Sequence, residues 1–588
     1  MPATVESRGA RCTVPSNSLH AAFDWMTGLT TTGRDMGKIC RTMTVAALLC
    51  GLAACGGSSD PSTNQNQLPP VLAGPSGCQV LRVTPADSTQ NIFLNTTFSV
   101  TYKADPSVTC KDIELYDAAG QQVATTQFHT DVWTSEIGGI TGAQAISANA
   151  NLQPNAQYSL QFDGKVISSF QTGPSTGMQG SIQSVADQPI SFSGLPQAAV
   201  IVASDINNSL GALIAFEADI HGIAVLILEA ALTAEVPNVS NPHAVYNAHL
   251  KRVTYSSTQA DGTPISLSGL LAFPERIDRT AFDYSTAKLI LGEHGSTSGT
   301  SVPSNANTLD TLLGLLAAGK GYIYFAPDLI GLGVTGDKDQ AYLVAQDTAT
   351  ASQDMLVAVR GYFSTNFGGV SLGNDLEIIG GSQGAYSSFA VLPYLSGRHF
   401  ANITVIYGED GPYNVFATFS SNLLAAAGAP KDGYSVYENP DFIVGHVADI
   451  FEAYHTYGGL AYDKATIFSA DGLTLLPAFL ADYASSKYPD FVDQLGINSF
   501  PGSSEIYNAP AAKVTLYHFT GDTLVPSKNT DDMINFLNNG THQLAAVARG
   551  NCRESSAFTA LILASSTSSE KTHVLCVVYM VDDFLGSL

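Results

Sequence analysis

The sequence predicts an α/β protein: a doubly wound, mostly parallel sheet with a helical cap, preceded by an all-β sandwich. Three observations support this. From His243 onward, apolar runs of strand length alternate with amphipathic runs of helix length, which implies parallel strands joined by crossover helices. From Cys78 to about Thr172, short alternating runs recur between turn residues at the spacing of a β-sandwich. Between Leu376 and Tyr386, an apolar strand, a Gly- and Ser-rich turn and an amphipathic helix follow one another directly.

At 588 residues, two or three domains are expected. The composition is globular, 45% hydrophobic and 13% charged. A net charge of −25 argues against nucleic acid, and against an anionic membrane surface, as an electrostatic partner. Residues 1–55 read as a leader and signal. Lys38 and Arg41 precede an apolar run, Thr42 to Ala54, that is too short to span a bilayer stably. Leu52-Ala53-Ala54-Cys55 resembles a bacterial lipobox, which implies lipidation of Cys55, export, and attachment to a membrane through a lipid anchor. An ordinary secretory signal is the alternative. Because such a signal works poorly inside a chain, translation is expected to start at Met36. Residues 56–77, rich in Gly, Ser, Pro, Asn and Gln, read as a flexible linker.

Of the eight cysteines, Cys12, Cys40, Cys50 and Cys55 lie in the leader; Cys78, Cys110, Cys552 and Cys576 lie in the expected folded part. One pairing of the second group keeps each partner within one domain, Cys78 with Cys110 and Cys552 with Cys576, so an oxidising compartment is expected. No C-x-x-C or clustered His suggests a metal.

Residues 78–172 carry alternating runs such as Thr97–Tyr102, Asp112–Tyr116 and Tyr158–Phe162. They resemble the Ig-like modules that precede catalytic domains in exported bacterial proteins, a spacer or a polymer binder. Residues 173–242 read as a connecting segment. Within it Ala212–Ala234 is strongly apolar, but Glu217, Asp219, His221 and Glu229 argue for a buried helix over a membrane span. The domain 243–588 opens with strands at Tyr246–Tyr255 and Ile265–Phe273, joined by a turn at Asp261-Gly262. Strands follow at Lys288–Gly292, Tyr322–Ala326, Leu376–Ile379, Ile403–Tyr407, Val514–Phe519 and Leu544–Ala548. Helices are expected at Leu309–Ala318, Ala349–Phe363, Asp531–Leu537 and Val574–Leu585. About 415–510 is an interrupted helical insertion, the expected cap.

Gly380-Gly381-Ser382-Gln383-Gly384 has the G-x-S-x-G pattern in the strand–turn–helix context of a nucleophile elbow, which would expose the Ser382 hydroxyl above the sheet. A Ser hydroxyl needs a base, and the base needs an orienting acid. In the order Ser, acid, His, the candidate acid is Asp522, on a Gly turn after a strand, with Asp410 one strand earlier as the alternative. Two His follow Asp522: His573, before the last helix, is preferred to His542. The backbone amides of Gln383 and Ser296 are the expected oxyanion donors, and His294 is expected to be a structural hydrogen-bonder.

Together, His294-Gly295, Pro327-Asp328-x-x-Gly331-x-Gly333, Gly380-x-Ser382-x-Gly384, Gly521-Asp522-x-x-Val525-Pro526 and His573 resemble the α/β-hydrolase superfamily. The Asp-x-x-Gly-x-Gly loop and the long insertion are similar to secreted bacterial lipases and esterases related to the fungal secretory lipases. Two departures stand out: Gly381 replaces the His or Tyr of many relatives, and the stretch Ser555–Thr572 is long for a loop. The resemblance implies a serine hydrolase of carboxylic esters, acting on a small-molecule or lipid ester without metal or cofactor. A serine peptidase of the same fold would need acidic groups gripping a peptide N-terminus, for which Glu452 and Asp463 are available. An inactive hydrolase fold serving as a surface binding lipoprotein is the third reading; intact Ser382 and His573 argue against it.

Overall fold

A computed structural model describes residues 77–588, except 105–106, 131–142, 176, 191, 193–194, 210–234, 298, 300, 306–307, 397–399, 436–439, 501–508, 540–543, 566–569 and 574. The signal with Cys55, the linker to residue 76, the apolar run Ala212–Ala234 and His542 therefore lie outside the described residues.

Eight strands form the N-terminal module: β1 (Cys78–Thr84), β2 (Phe98–Ala104), β3 (Ile113–Asp117), β4 (Gln122–Val123), β5 (Thr125–Thr130), β6 (Ala143–Ala150), β7 (Gln157–Phe162) and β8 (Lys165–Gln171). They make two four-stranded antiparallel sheets, β1-β2-β6-β5 and β4-β3-β7-β8. Alternation buries one face of each: Phe98, Val100 and Tyr102 from β2 meet Ile113, Leu115, Leu160 and Phe162 in one apolar cluster. A Cys78–Cys110 disulfide ties the first strand to the segment before β3.

The module is docked on the larger domain. Gln346 Nε2 donates to Thr84 Oγ1 at 2.8 Å and to Ser99 Oγ at 3.2 Å, the Ala86 amide donates to the Asp261 carbonyl, and Lys103 pairs with Asp493 at 2.6 Å. These contacts bury Ser99, on the face of β2 that would otherwise meet water.

The larger sheet has ten strands: β9 (Ile182–Asp187), β10 (Val200–Ile201), β11 (Tyr246–Thr258), β12 (Pro264–Arg276), β13 (Leu289–Glu293), β14 (Ile323–Pro327), β15 (Asp375–Gly381), β16 (Asn402–Glu409), β17 (Ala509–Tyr517) and β18 (Leu544–Arg549). The order is β10-β11-β12-β14-β13-β15-β16-β17-β18, with β9 also on β11. Pairing is antiparallel through β12–β14 and parallel from β14 to β18. The sheet thus starts inside the segment read as a connector, because β9 and β10 pair with β11 there.

The long hairpin β11–β12 is held in one register from Tyr246↔Arg276 to Thr258↔Pro264. Its turn contains Gly262 at φ 83°, with the Asp261 carboxylate accepting from the Thr263 amide at 2.8 Å.

Successive strand residues point to opposite faces. Leu289, Leu291 and Phe325 join one core with helix α2 (Ala345–Asn366) and α3 (Gln383–Ala390); Ile290, Tyr324 and Ala326 join the other with α1 (Leu309–Gly319) and the C-terminal helix. That is the doubly wound arrangement. Thr308 caps α1 by accepting from the Thr311 amide.

Between β16 and β17 the chain leaves the sheet as the helical insertion: α4 (Val415–Ala426), α5 (Pro440–Gly458), α6 (Pro477–Ala484) and α7 (Pro489–Ile497). An aromatic cluster holds it, with Phe451 stacked on Phe491 at 4.0 Å and edge-on to Phe479. Helix α8 (Lys528–Asn539), α9 (Ala557–Ser565) and α10 (Val577–Ser587) complete the domain. The long stretch before His573 is accounted for in part by α9.

Candidate active site

The chain builds β14 on one side of β13 and then β15 on the other. Ligands of open α/β sheets bind at the carboxyl ends of strands beside such a reversal. Ser382 and Ser296 come from strand ends beside this reversal and Asp522 from the turn after β17, while His573 comes from a helical turn before the C-terminal helix.

Ser382 sits between β15 and α3 with φ 53° and ψ −117°, a strained conformation for a residue with a side chain. Its amide donates to the Glu409 carbonyl at 2.6 Å and its carbonyl accepts from the Tyr386 amide, so both sides of the turn are tied. The flanking glycines are required by space. A Cβ on Gly384 would overlap the Glu293 carbonyl oxygen and stand 2.9 Å from the His294 oxygen; one on Gly380 would overlap Gly384.

His573, at the end of a helical turn (Glu570–His573) and 4% exposed, faces this serine. Its Nε2 lies 2.7 Å from Ser382 Oγ and its Nδ1 lies 2.8 Å from Asp522 Oδ2. Asp522 is buried in the turn after β17, and its other oxygen accepts from the Leu524 and Val525 amides at 2.7 and 3.3 Å. Burial pushes this carboxyl up, but His573 and His518 outweigh burial and bring it down to about 2. The Cys552–Cys576 disulfide fastens the segment just after His573 to the end of β18. Ser382, Asp522 and His573 are therefore brought into one hydrogen-bonded line.

The oxyanion candidates flank the serine. The Gln383 amide opens α3. Gly295, next to Ser296, runs against the elbow: a Cβ there would stand 3.3 Å from the Gly381 oxygen and 3.9 Å from Ser382 Cβ. The Ser296 hydroxyl is 3.1 Å from Tyr342 Oη, which is 3.2 Å from Nδ1 of His446 on α5. Burial and the neighbouring His573 bring His446 down to about 4. A hydrogen-bonded link thus runs from the insertion to the loop after β13. His294 bridges carbonyl groups, with Nδ1 2.7 Å from Gly295 O and Nε2 3.1 Å from Asp328 O. Glu293, the last residue of β13, accepts from Ser352 and is pushed by burial to about 8.

Two neighbours complete the buried network. Asp410, fully buried at the end of β16, has Oδ2 4.0 Å from His573 Nδ1. His518, four residues before Asp522, lies between the two acids: Nδ1 is 3.4 Å from Asp410 Oδ1 and Nε2 is 3.4 Å from Asp522 Oδ2. The same Nε2 donates to the Val525 carbonyl at 2.9 Å, while Nδ1 is 2.7 Å from Thr530 Oγ1. His518 precedes Asp522 in the chain, so the order Ser, acid, His does not select it. The apolar run of β17 ending at a His beside the Gly turn was the available signal.

Asp410, Asp522 and His573 also present atoms close enough to hold a cation, but the last two are engaged with each other. A second such group includes Cys576, whose sulfur is in a disulfide. The acids that a peptidase would need are tied elsewhere: Glu452 pairs with Lys464 at 2.7 Å and Asp463 accepts from the Ala465 amide.

No family model matches the chain, and no curated protein matches it. Among solved structures, the rice cell wall degrading esterase LipA from Xanthomonas oryzae superposes at a TM-score of 0.50 and 17% identity, over 70% of this chain and 99% of that one. Candida antarctica lipase A gives 0.40 at 12% identity, over 64% and 77%. The first likeness establishes a shared fold, consistent with an α/β-hydrolase fold. Among the described residues, no helix is long and apolar enough to cross a membrane.

Proposed function

We propose that the chain is an exported serine hydrolase that cleaves carboxylic esters. The observation that supports this most is the line from Ser382 through His573 to Asp522, with contacts of 2.7 and 2.8 Å. Ser382 Oγ attacks the ester carbonyl as its proton passes to His573 Nε2. Asp522 stays ionised, holds the Nδ1 proton and stabilises the imidazolium. The oxyanion receives the Gln383 and Ser296 amides, which is where such a site gains most. Collapse breaks the C–O bond, and the departing alcohol takes the proton from Nε2. Water then attacks the acyl-enzyme, giving its proton to His573. The second collapse returns that proton to Ser382 and releases the carboxylic acid.

On this reading residues 243–588 form the catalytic domain and 415–510 its cap over the acyl pocket. Residues 78–172 form an Ig-like module, a lipid on Cys55 anchors the protein, and 56–77 tether it. The Xanthomonas oryzae enzyme that shares the fold is an esterase, which agrees with this reading. The structural engagement of Glu452 and Asp463 disfavours the peptidase alternative.

The test is hydrolysis of p-nitrophenyl esters, short to long acyl, by the wild type and Ser382→Ala. Ester turnover is expected in the first and to fall by several orders of magnitude in the second. Turnover that survives Ser382→Ala, or a folded wild type without any, overturns the proposal.

A further inference from the structure

The residue beside the triad that the mechanism leaves unused is Asp410. It directly follows β16 at φ 51°, its amide donates to the Tyr517 carbonyl, and its Oδ1 accepts from the Phe519 amide at 3.2 Å. This fixes the carboxyl against the strand that leads to Asp522. The other oxygen faces the imidazole nitrogen that Asp522 holds, at 4.0 Å against 2.8 Å for Asp522. His518 stands between the two acids within 3.4 Å of each, its ring fixed by Thr530 and Val525. Two carboxyls therefore converge on one imidazole, from the ends of two neighbouring strands.

We infer that Asp410 is a reserve orienting acid for His573, held apart from Asp522 by His518 and able to take over the Nδ1 proton when Asp522 is lost. This inference rests on the serine-hydrolase reading of Ser382 and His573. Like charges this close do not both ionise freely, and the nearer acid takes the charge. Burial first, then Glu409 and Asp522, hold Asp410 well above the usual carboxylate range. Removing Asp522 removes one of those negative neighbours and opens space along the 4.0 Å gap. His573 then turns toward Asp410, which ionises beside it. The groups facing Asp410 are Glu409 at the end of β16, His518 and Asp522 from β17 and its turn, His573 from the C-terminal segment, and Tyr413 beyond β16. Asp410 acts through His573 and touches no reacting atom, so it is a positioning residue.

The test is the rate of Ser382 labelling by a fluorophosphonate across pH. It is run on the wild type, Asp410→Asn, Asp522→Ala and the double variant, with Ser382→Ala as blank. Without a substitute, loss of the acid of such a triad costs on the order of ten-thousandfold in turnover. We expect Asp522→Ala to fall short of that loss by at least about tenfold, and Asp410→Asn added to it to remove the remainder. The acidic limb of the rate profile should also move to higher pH in Asp522→Ala, since the acid now at work is the raised one. Asp410→Asn alone should label within a few-fold of the wild type. Equal rates and equal pH profiles for Asp522→Ala and the double variant overturn the inference. Labelling absent from wild type and blank alike overturns the serine-hydrolase reading instead. Should Asp522→Ala not fold, Asp522→Ser, whose hydroxyl still accepts from the Leu524 amide, is compared with its own Asp410→Asn double on the same criteria.

Discussion

Replacing Cys552 and Cys576 together by Ala reaches the candidate base without touching it. The bond joins the end of β18 to the start of α10, and Cys576 follows His573 by three residues. Both cysteines are buried, at 4% and 0% exposure, so the bond lies inside the core under α10. It closes a loop with a separation of 24 residues. Loop-closure entropy for that length gives ~3.4 kcal/mol of stabilisation at 25 °C. Urea unfolding followed by far-UV circular dichroism should show a loss of that order in the double variant. The kcat for a short p-nitrophenyl ester should fall as well, because the segment carrying His573 loses its fastening. Removing Cys78 and Cys110, which close a loop in the module with a separation of 32, should lower stability and leave kcat close to wild type. An unfolding free energy within about 0.5 kcal/mol of the wild type, the usual range of an inert surface change, would refute the reasoning. So would an unchanged kcat.

Gly384→Ala puts a methyl group into the Glu293 backbone and should cost about 1–3 kcal/mol as an overpacked site; thermal unfolding beside ester kinetics checks it, and kcat should fall more than KM rises. The Asp522 carboxyl, lowered from 3.8 to about 2 in the fold, contributes stability that is full above pH 4 and lost as pH falls through about 2. Acid titrations followed by circular dichroism should therefore show a shallower loss between pH 4 and 2 in Asp522→Ala than in the wild type. Tyr342→Phe removes the hydroxyl linking Ser296 to His446 and should lower kcat/KM by no more than about tenfold, the worth of one neutral hydrogen bond; circular dichroism should be unchanged.

Much of the larger domain was readable because its physics is local. Strands such as Leu289–Glu293 and Ile323–Pro327 are buried on both faces and read as short apolar runs. The turn around Ser382 was readable because a strand, two obligatory glycines and a helix leave few other structures. Strands β9 and β10 were not legible. They lie on the edge beyond β11; β9 is largely exposed and β10 has two residues, so no apolar alternation marks them. The start of β17 at Ala509 rather than Val514 was hidden by Pro510, around which the pairing with β18 shifts register. At the site, chain order singled out Ser382, Asp522 and His573, which is the set in contact. Asp410 stood there as the alternative acid and His518 did not, and the approach of both to the triad depends on β16 and β17 pairing in register from Val405↔Lys513 to Glu409↔Tyr517. Nor could chain order reveal that the module at Cys78–Gln171 is docked through Gln346 and Asp493.

The central claim is that Ser382 carries the acyl group. Rapid mixing with p-nitrophenyl acetate, quenching in acid and mapping the acetylated peptide by mass spectrometry tests it most directly. A burst of p-nitrophenolate and an acetyl group on Ser382 are expected, the acetyl group accumulating further in His573→Ala when deacylation is slowed more than acylation. Acetyl found on another residue, or ester cleaved with no acyl-enzyme under any quench, would contradict the claim.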